Sequence, residues 1–186
     1  MYPFLRLGWQ FWVHRKTRYA SLTDVHESRH ICWPWDLDPW VELNNGRTLT
    51  MYDLGRVPFA RAAGLVKVLR DERWGLTVAG SSVRYRRRIR AFDRITMRTR
   101  LVGWDARFLY VEQAMWVRGD CVGHVLIRSA VVGAEGIVDP ALLAARMGHG
   151  AAAMTPPDWV LAWIEAEKLR PWPPMEDLKD QAQRAA

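Results

Sequence analysis

The chain has 186 residues, of which 49% are hydrophobic, so it is long enough to bury the core of one domain. Its 27 Lys and Arg residues against 20 Asp and Glu residues give a net charge of +7, which favours an acidic partner such as nucleic acid, anionic lipid or a phosphorylated ligand. Cys32 and Cys121 lack the paired spacing of metal or redox motifs. We therefore expect no such role for them and a cytoplasmic location.

The N-terminal stretch 4–13 is apolar and aromatic, but it is shorter than the roughly 20 residues that a membrane-spanning helix needs. Basic residues follow this stretch instead of preceding it, which argues against a secretory signal. Its aromatic residues Trp9, Phe11 and Trp12 suit a membrane interface. We expect a helix packed on its own domain, and a peripheral membrane contact stays open as an alternative.

A strand and a helix are predicted in the first third of the chain. Residues 28–35 contain β-branched and aromatic residues and end near a proline, so they predict a first strand. The run Asn44-Asn45-Gly46 has the small polar residues that cap helices, so a helix should begin near residue 46. Pro58 has no N–H, and we expect the helix to kink or restart there before Gly64 ends it.

Beyond Gly75 polar and apolar residues alternate, which predicts β-strands. One strand is expected to carry a row of arginines on one face, with cations about 6.6 Å apart. The row consists of Arg84, Arg86, Arg88 and Arg90, with Arg98 and Arg100 expected beside it. Such a row could bind phosphate groups, and it could equally be a solvated face that deters edge pairing.

The remaining elements complete the prediction. Residues 108–117 are apolar on both faces, as in a central strand, and residues 122–132 predict one more. Two short helices should begin at Asp139-Pro140 and near Asp158. The end of the chain is predicted to be a mobile tail.

The predicted order of elements indicates an α+β fold, in which a long helix lies on one face of an antiparallel sheet because both must bury an apolar surface. This arrangement is the hot-dog shape, although the pattern alone equally allows other α+β sandwiches. We expect an N-terminal extension over 1–27, a main domain over 28–150, and a C-terminal helix with its tail over 151–186.

Residues 36–49, Asp-Leu-Asp-Pro-Trp-Val-Glu-Leu-Asn-Asn-Gly-Arg-Thr-Leu, resemble the active-site stretch of hot-dog acyl-CoA thioesterases of the 4-hydroxybenzoyl-CoA thioesterase type. A weaker likeness extends to about residue 132. The resemblance implies hydrolysis of an acyl-CoA thioester by a homo-oligomer, either a dimer or a dimer of dimers. Coenzyme A would be part of the substrate, with no separate cofactor and no metal.

By that resemblance Asp38 is the catalytic carboxylate, either as a general base or as a nucleophile, and a backbone N–H of Asn45 or Gly46 stabilises the oxyanion. The chemistry agrees, because amides at a helix start have no intrahelical partner and lie at the positive end of the helix dipole. Asp53 would be a further acidic residue that contacts substrate or takes part in catalysis. Glu42 departs from the pattern, since many relatives carry His there.

Six residues are expected to bind substrate or coenzyme A: Asn44, Glu42, Trp40, Arg84, Arg86 and Arg88. The arginines would suit the phosphates of coenzyme A. The structural alternative is that Asp36 and Asp38 are turn residues and that the Asn pair only caps a helix.

Two other functions are compatible with the same residues. A non-catalytic acyl- or lipid-binding protein would keep the pocket without turnover. A basic sheet could bind nucleic acid, but this gives no reason for the two aspartates beside the Asn pair, so we expect no nucleic-acid partner. The string His26-Glu27-Ser28-Arg29-His30 matches the HExxH zinc motif, which needs a helix, and it runs instead into a strand-like segment.

Overall fold

The computed structural model describes residues 2–19, 21–148 and 154–175. The chain divides between Thr155 and Pro156 into two units. The first unit contains α1 (Phe4–Val13), β1 (His26–Ile31), α2 (Asn45–Ala62), α3 (Leu65–Glu72), β2 (Gly75–Tyr85), β3 (Arg94–Trp104), β4 (Leu109–Val117), β5 (Asp120–Gly133), β6 (Gly136–Ile137) and α4 (Pro140–Arg146). The second contains α5 (Asp158–Lys168). The predicted mobile tail lies outside the described residues.

The strands of the first unit form one antiparallel sheet with the order β1-β3-β4-β5-β2, and β6 pairs with the end of β5. Strand β4 is central, as its apolar residues on both faces predict. Strands β1 and β2 lie at the two edges. The prediction of a helix followed by a long antiparallel sheet is therefore confirmed.

Helix α2 packs against β1 and β3 and buries Met51, Leu54 and Phe59. The close approach depends on Gly55, because a Cβ atom there would lie 2.5 Å from the sulfur of Met97. A long helix on one face of an antiparallel sheet is the arrangement expected for the hot-dog fold.

Of the kink or restart expected at Pro58, the restart is wrong, since α2 continues through Pro58 to Ala62. A proline removes the hydrogen bond to the carbonyl four residues earlier, here that of Leu54. Leu54, Pro58 and Phe59 are all buried, and this packing offsets the lost bond.

The first strand is displaced from its predicted range of 28–35, since β1 is His26–Ile31 and a short 3-10 turn follows at Pro34–Asp36. Pro34 cannot donate to a sheet neighbour, and the Asp36 carboxylate accepts the N–H of Trp33 at 3.0 Å. The local hydrogen bond therefore replaces the end of the strand.

The prediction of a row of arginines on one strand is also wrong. Strand β2 ends at Tyr85, because the N–H groups of Arg86 and Arg87 both turn to the carbonyl oxygen of Val122, at 2.9 and 3.1 Å. Arg86, Arg88 and Arg90 therefore lie in the following loop, and only Arg84 is on the strand.

Arg98 and Arg100 are on β3, which is separated from β2 by β4 and β5, so they do not stand beside Arg84. Each has an acidic neighbour: Arg98 pairs with Glu27 and Arg100 with Glu112. The charges of Arg98 and Arg100 are therefore neutralised by acidic residues on the sheet, and they do not extend the predicted arginine row.

Helix α1 contacts the rest of the first unit through polar residues. Gln10 is buried and donates to the carbonyl of Arg29 at 3.1 Å, and Arg6 donates to that of Ile31 at 2.9 Å. Both bonds cover the open edge of β1. Several apolar side chains of α1 are exposed, among them Leu5 at 91% and Trp9 at 58%. No described helix is both long and apolar enough to cross a membrane.

His26 and His30 of the HExxH string lie on β1 and not on a helix. Two residues four positions apart on a strand are about 13 Å from each other, which is too far to share a metal ion in the way of that motif. Both side chains are buried, with Tyr19 Oη 2.7 Å from His26 Nδ1 and Ser28 Oγ 2.8 Å from His30 Nε2. Burial lowers the pKa of His26 to about 4 and that of His30 to about 3.

This pair predicts that the fold loses stability in mild acid. Below a pH of about 6.5 the unfolded histidines bind protons that the folded ones do not. The contribution of each buried, neutral histidine to the free energy of unfolding is therefore complete above pH 6.5. Below that pH it falls by up to about 1.4 kcal/mol per pH unit for each histidine, down to about pH 4. Urea unfolding at pH 7.5, 6.5 and 5.5 measures this slope.

The double variant His26→Gln/His30→Gln should be less stable at pH 7.5 and should lose most of the slope between pH 6.5 and 5.5. His26→Gln alone should remove about half of it, because each histidine contributes one proton. An unfolding free energy that does not change between pH 7.5 and 5.5 in the unaltered protein contradicts this assignment.

Candidate functional site

The segment between β1 and α2 forms a short hairpin. Leu37 and Leu43 form a bridge between its two arms, the N–H of Asp38 donates to the carbonyl of Glu42 at 2.8 Å, and the N–H of Asn44 donates to that of Asp36 at 2.9 Å. These bonds return the chain to the first turn of α2. The acidic loop and the helix start therefore form one local unit.

Asp36 holds the base of this hairpin. It is 1% exposed and lies 2.7 Å from a guanidinium nitrogen of Arg6 and 3.6 Å from one of Arg47. It also accepts the N–H of Trp33. Because both of its oxygens face partners within the fold, Asp36 has a structural position.

Asp38 is half-buried at the turn of the hairpin. Its Oδ1 atom accepts the N–H of Trp40 at 2.9 Å and, more weakly, that of Glu42 at 3.4 Å. These contacts match the structural alternative of a turn aspartate, and they also orient the carboxylate. Its Oδ2 atom has no hydrogen-bond partner among the residues that the structure describes.

Glu42 faces Asp38 across the hairpin, where opposite residues have Cβ atoms about 4.5–5.5 Å apart. The Glu42 carboxylate lies 2.8 Å from Nε of Arg88. The tip between them is strained, because Val41 is β-branched and has a φ angle of 60°. Of these two opposed residues, Glu42 has a cationic partner and Asp38 has an uncommitted carboxylate oxygen.

The first turn of α2 is capped by Asn44. Its side-chain oxygen accepts the N–H of Gly46 at 2.9 Å and that of Arg47 at 3.2 Å, and its carbonyl oxygen accepts that of Thr48 at 2.8 Å. Among the described residues, the N–H of Asn45 has no partner. Of the two predicted oxyanion donors, Asn45 therefore has a free amide, and Gly46 has one that is already bonded.

A cleft of about 260 Å³ opens beside this amide. Asn45, Thr48 and Tyr52 form one wall, because positions spaced by three and four residues share a helix face. The opposite side includes Met115 and Gly123 of the sheet. The remaining lining residues are Glu42, Leu43, Tyr85, Arg86, Arg87, Arg88, Ile89 and Val122.

The predicted binding residues fall into two groups. Glu42, Arg86 and Arg88 line the cleft, and Asn44 caps the helix beside it. Trp40 is 74% exposed at the hairpin, and Arg84 is exposed on β2; neither lines the cleft. Asp38 is not a lining residue either, although Glu42, its neighbour across the hairpin, is.

Asp53 lies away from this cleft. It forms an ion pair with Arg56 one turn further along α2, and its nearest titratable groups include Tyr2. Burial raises the pKa of Asp53, and the Arg56 guanidinium opposes that rise. Within this chain the structure does not bring Asp53 to Asn45 or Glu42.

Tyr52 was not identified from the sequence, although its spacing of seven residues from Asn45 places both on one helix face. Its side chain is fully buried, and burial raises the pKa of its hydroxyl group, which therefore stays protonated. Asn45, whose backbone amide is free, and Tyr52, whose phenol is protonated, thus both line the cleft.

Comparison with known proteins identifies the family of the chain. Residues 32–164 match the family model described as the thioesterase-like superfamily. Protein THEM6 of Drosophila melanogaster is 29% identical over 155 residues, which cover 82% of this chain and 78% of the fly protein.

Two solved structures show the same fold. The probable thioesterase YbaW from Escherichia coli has a TM-score of 0.62 at 16% identity and covers 66% of this chain and 96% of its own. The hypothetical protein SAV2348 from Staphylococcus aureus, solved in complex with CoA, has a TM-score of 0.61 at 11% identity. The match covers 76% of this chain and 95% of the SAV2348 chain. The hot-dog fold implied by residues 36–49 is confirmed, and because the family model spans more than half of the chain, the protein belongs to the thioesterase-like superfamily.

Proposed function

We propose that the protein hydrolyses an acyl-CoA thioester in the cleft at the start of α2. The observation that carries the proposal is the free N–H of Asn45, at the positive end of an 18-residue helix that follows the hairpin with the oriented carboxylate of Asp38. A donor placed in this way stabilises the negative charge that develops on the thioester oxygen during attack.

In the proposed reaction, the thioester carbonyl oxygen accepts the Asn45 N–H, and Asp38 supplies the carboxylate. Asp38 either removes a proton from the attacking water or attacks the carbonyl carbon itself, and water then opens the resulting anhydride. In both routes a C–O bond forms, the C–S bond breaks, and the sulfur leaves as the thiol of coenzyme A. The uncommitted Oδ2 atom of Asp38 supports this role, since Glu42 is held by Arg88.

The size of the cleft supports an acyl group inside it and the nucleotide outside. Its 260 Å³ is below the roughly 300–1,000 Å³ of pockets that enclose drug-sized ligands. Arg86 at its edge and Arg84 on β2 are exposed and have no ion pair among the described residues, so they are proposed to meet the phosphates. The relative from Staphylococcus aureus, solved with CoA, supports the same class of ligand.

A homo-oligomer is proposed on the basis of the open edge of β2. In the described part of the chain β2 pairs only with β5, and Leu76 and Val78 of this strand are largely exposed. An unpaired, partly apolar edge is a template for a strand of a second copy. Tyr85, at the end of β2, lines the cleft, so a second copy would lie next to the site.

A peripheral membrane contact through α1 is also proposed, for a protein that is otherwise cytoplasmic. Phe4, Leu5 and Trp9 are exposed on this helix, and Arg15 and Lys16 follow it. Aromatic and aliphatic side chains beside basic ones are the composition of helices that lie in an anionic lipid surface.

The role of Asp38 predicts that Asp38→Asn lowers kcat/KM for acyl-CoA hydrolysis by about 10²–10³-fold. The asparagine keeps the Oδ1 acceptor for the N–H of Trp40, so the hairpin is retained and only the reacting carboxylate is lost. Glu42→Gln should change the rate by less than about tenfold, because its ion pair with the exposed Arg88 contributes little. Thiol release from a panel of acyl-CoA substrates measures both.

Asp71→Asn is the matched control, since Asp71 is exposed on α3, where it pairs with Lys67. It should leave the rate unchanged. Equal rates for Asp38→Asn and the unaltered protein would remove Asp38 from the mechanism. Acyl-CoA binding without thiol release from any substrate would favour the non-catalytic acyl-binding alternative.

The α1 contact predicts co-sedimentation with vesicles of phosphatidylcholine and phosphatidylserine, and weaker binding to phosphatidylcholine alone. The triple variant Phe4→Ser/Leu5→Ser/Trp9→Ser should bind the mixed vesicles at least about tenfold more weakly, because it removes the buried apolar area. Val66→Ser, an exposed apolar position on α3, is the control and should bind normally. Equal binding by the triple variant would show that α1 does not contact the lipid.

A further inference from the structure

Tyr52 carries a buried hydroxyl group without a hydrogen bond. Its side chain is 0% exposed, and its Oη atom has no partner among the described residues. Tyr110 is equally buried, but its hydroxyl donates to the Asp105 carboxylate at 2.6 Å. Buried polar groups are nearly always paired, so the unpaired hydroxyl of Tyr52 requires an explanation.

The hydroxyl lies against Gly123 in the wall of the cleft. Tyr52 and Gly123 both line it, and a Cβ atom on Gly123 would be 3.3 Å from Tyr52 Oη. The Cα atom of Tyr52 is about 10 Å along α2 from that of Asn45, and helical side chains lean back towards the N-terminus. The phenol therefore stands several ångströms beyond the Asn45 amide, on the same side of the helix.

Tyr85 is a second phenol that lines this cleft, and its charge is among the causes that raise the pKa of Tyr52. Thr48 already donates its hydroxyl to the carbonyl of Asn44 at 3.1 Å, and the sheet contributes Met115 and Val122. Burial raises the pKa of the Tyr52 hydroxyl, so it remains a hydrogen-bond donor at neutral pH. An acyl chain without oxygen would fill this space and leave that donor unpaired.

We propose that the cleft selects acyl groups that carry an oxygen atom beyond the thioester carbonyl, such as hydroxyacyl or oxoacyl groups, and that the Tyr52 hydroxyl donates a hydrogen bond to that oxygen. The inference rests on the proposed hydrolysis at this cleft and names its substrate class. Tyr52 acts here as a specificity-determining residue, while the Asn45 amide and Asp38 act on the thioester.

The test compares hexanoyl-CoA with its 3-hydroxy and 5-hydroxy derivatives. The unaltered protein should hydrolyse at least one hydroxy derivative with a kcat/KM at least about tenfold higher, because sites with a buried donor reject analogues that leave it unpaired. In Tyr52→Phe this ratio should fall to about one, through a lower kcat/KM for the hydroxy derivative. A ratio that persists in Tyr52→Phe, or an equal loss on all three substrates, overturns the proposal.

Stability separates this role from a purely structural one. Tyr52→Phe removes an unpaired hydroxyl, so its Tm should be unchanged or higher. Tyr110→Phe removes the hydrogen bond from Tyr110 to Asp105, so it should lower the Tm by about 2–4 °C. It should keep the ratio of kcat/KM between the hydroxy derivative and hexanoyl-CoA. A lower Tm in Tyr52→Phe would mean that the hydroxyl has a partner within the fold, which contradicts the inference.

Binding distinguishes failure of this inference from failure of the proposed hydrolysis. Calorimetry with ketone analogues, in which a methylene group replaces the sulfur, needs no turnover. If no thiol is released but the hydroxy analogue binds at least about tenfold more tightly, and Tyr52→Phe removes that difference, only the hydrolysis fails. Equal affinity of the unaltered protein for the hexanoyl and hydroxyhexanoyl analogues overturns the selectivity.

Discussion

The site depends on how the Asn44 side chain caps α2. Helices leave four N–H groups unpaired at their start, and Asn44 occupies those of Gly46 and Arg47 with one side-chain oxygen. With Thr48 bonded to the Asn44 carbonyl, the amide of Asn45 is left at the positive end of the helix. Since the helix amides are fixed by the backbone, this amide needs no reorganisation to act as the oxyanion donor that we propose.

The surrounding structure holds that cap in place. The hairpin before α2 is tied at its base by the ion pair of the buried Asp36 with Arg6, which couples the helix start to α1. Gly55 allows α2 to approach the sheet closely enough for Tyr52 and Met115 to form opposite sides of one cleft. Removing Arg6 would leave the buried Asp36 carboxylate with its charge largely uncompensated, so this ion pair stabilises the hairpin that precedes α2.

The sequence predicted the parts of the site that local chemistry controls. The cap at Asn44, the helix start and the turn at Asp38 each follow from side chains that bond to a backbone within four residues, and the structure has all three. The resemblance of residues 36–49 to thioesterases extended this to the fold, which the family match confirms. The catalytic role of Asp38 stays a prediction.

Features that depend on distant partners were missed. Alternation alone could not reveal that Arg86 leaves the strand, because its N–H bonds to Val122, 36 residues later in the chain. Nor could alternation reveal that two strands, β4 and β5, lie between β3 and β2 in the sheet. Tyr52 has the right helical spacing, but its unpaired hydroxyl is evident only once β5 is packed against α2.

The most direct measurement deletes the Asn45 amide and leaves the helix in place. Asn45→Pro removes the N–H together with the side chain and should keep the helix, since proline is favoured at the first helical position and Asn44 already has φ −58° and ψ 139°, which precede proline without strain. Asn45→Ala keeps the N–H and controls for the side chain. Thiol release should fall by about 10²–10³-fold in Asn45→Pro, with an unchanged Tm, and should be retained in Asn45→Ala. Full activity of a folded Asn45→Pro would contradict the account.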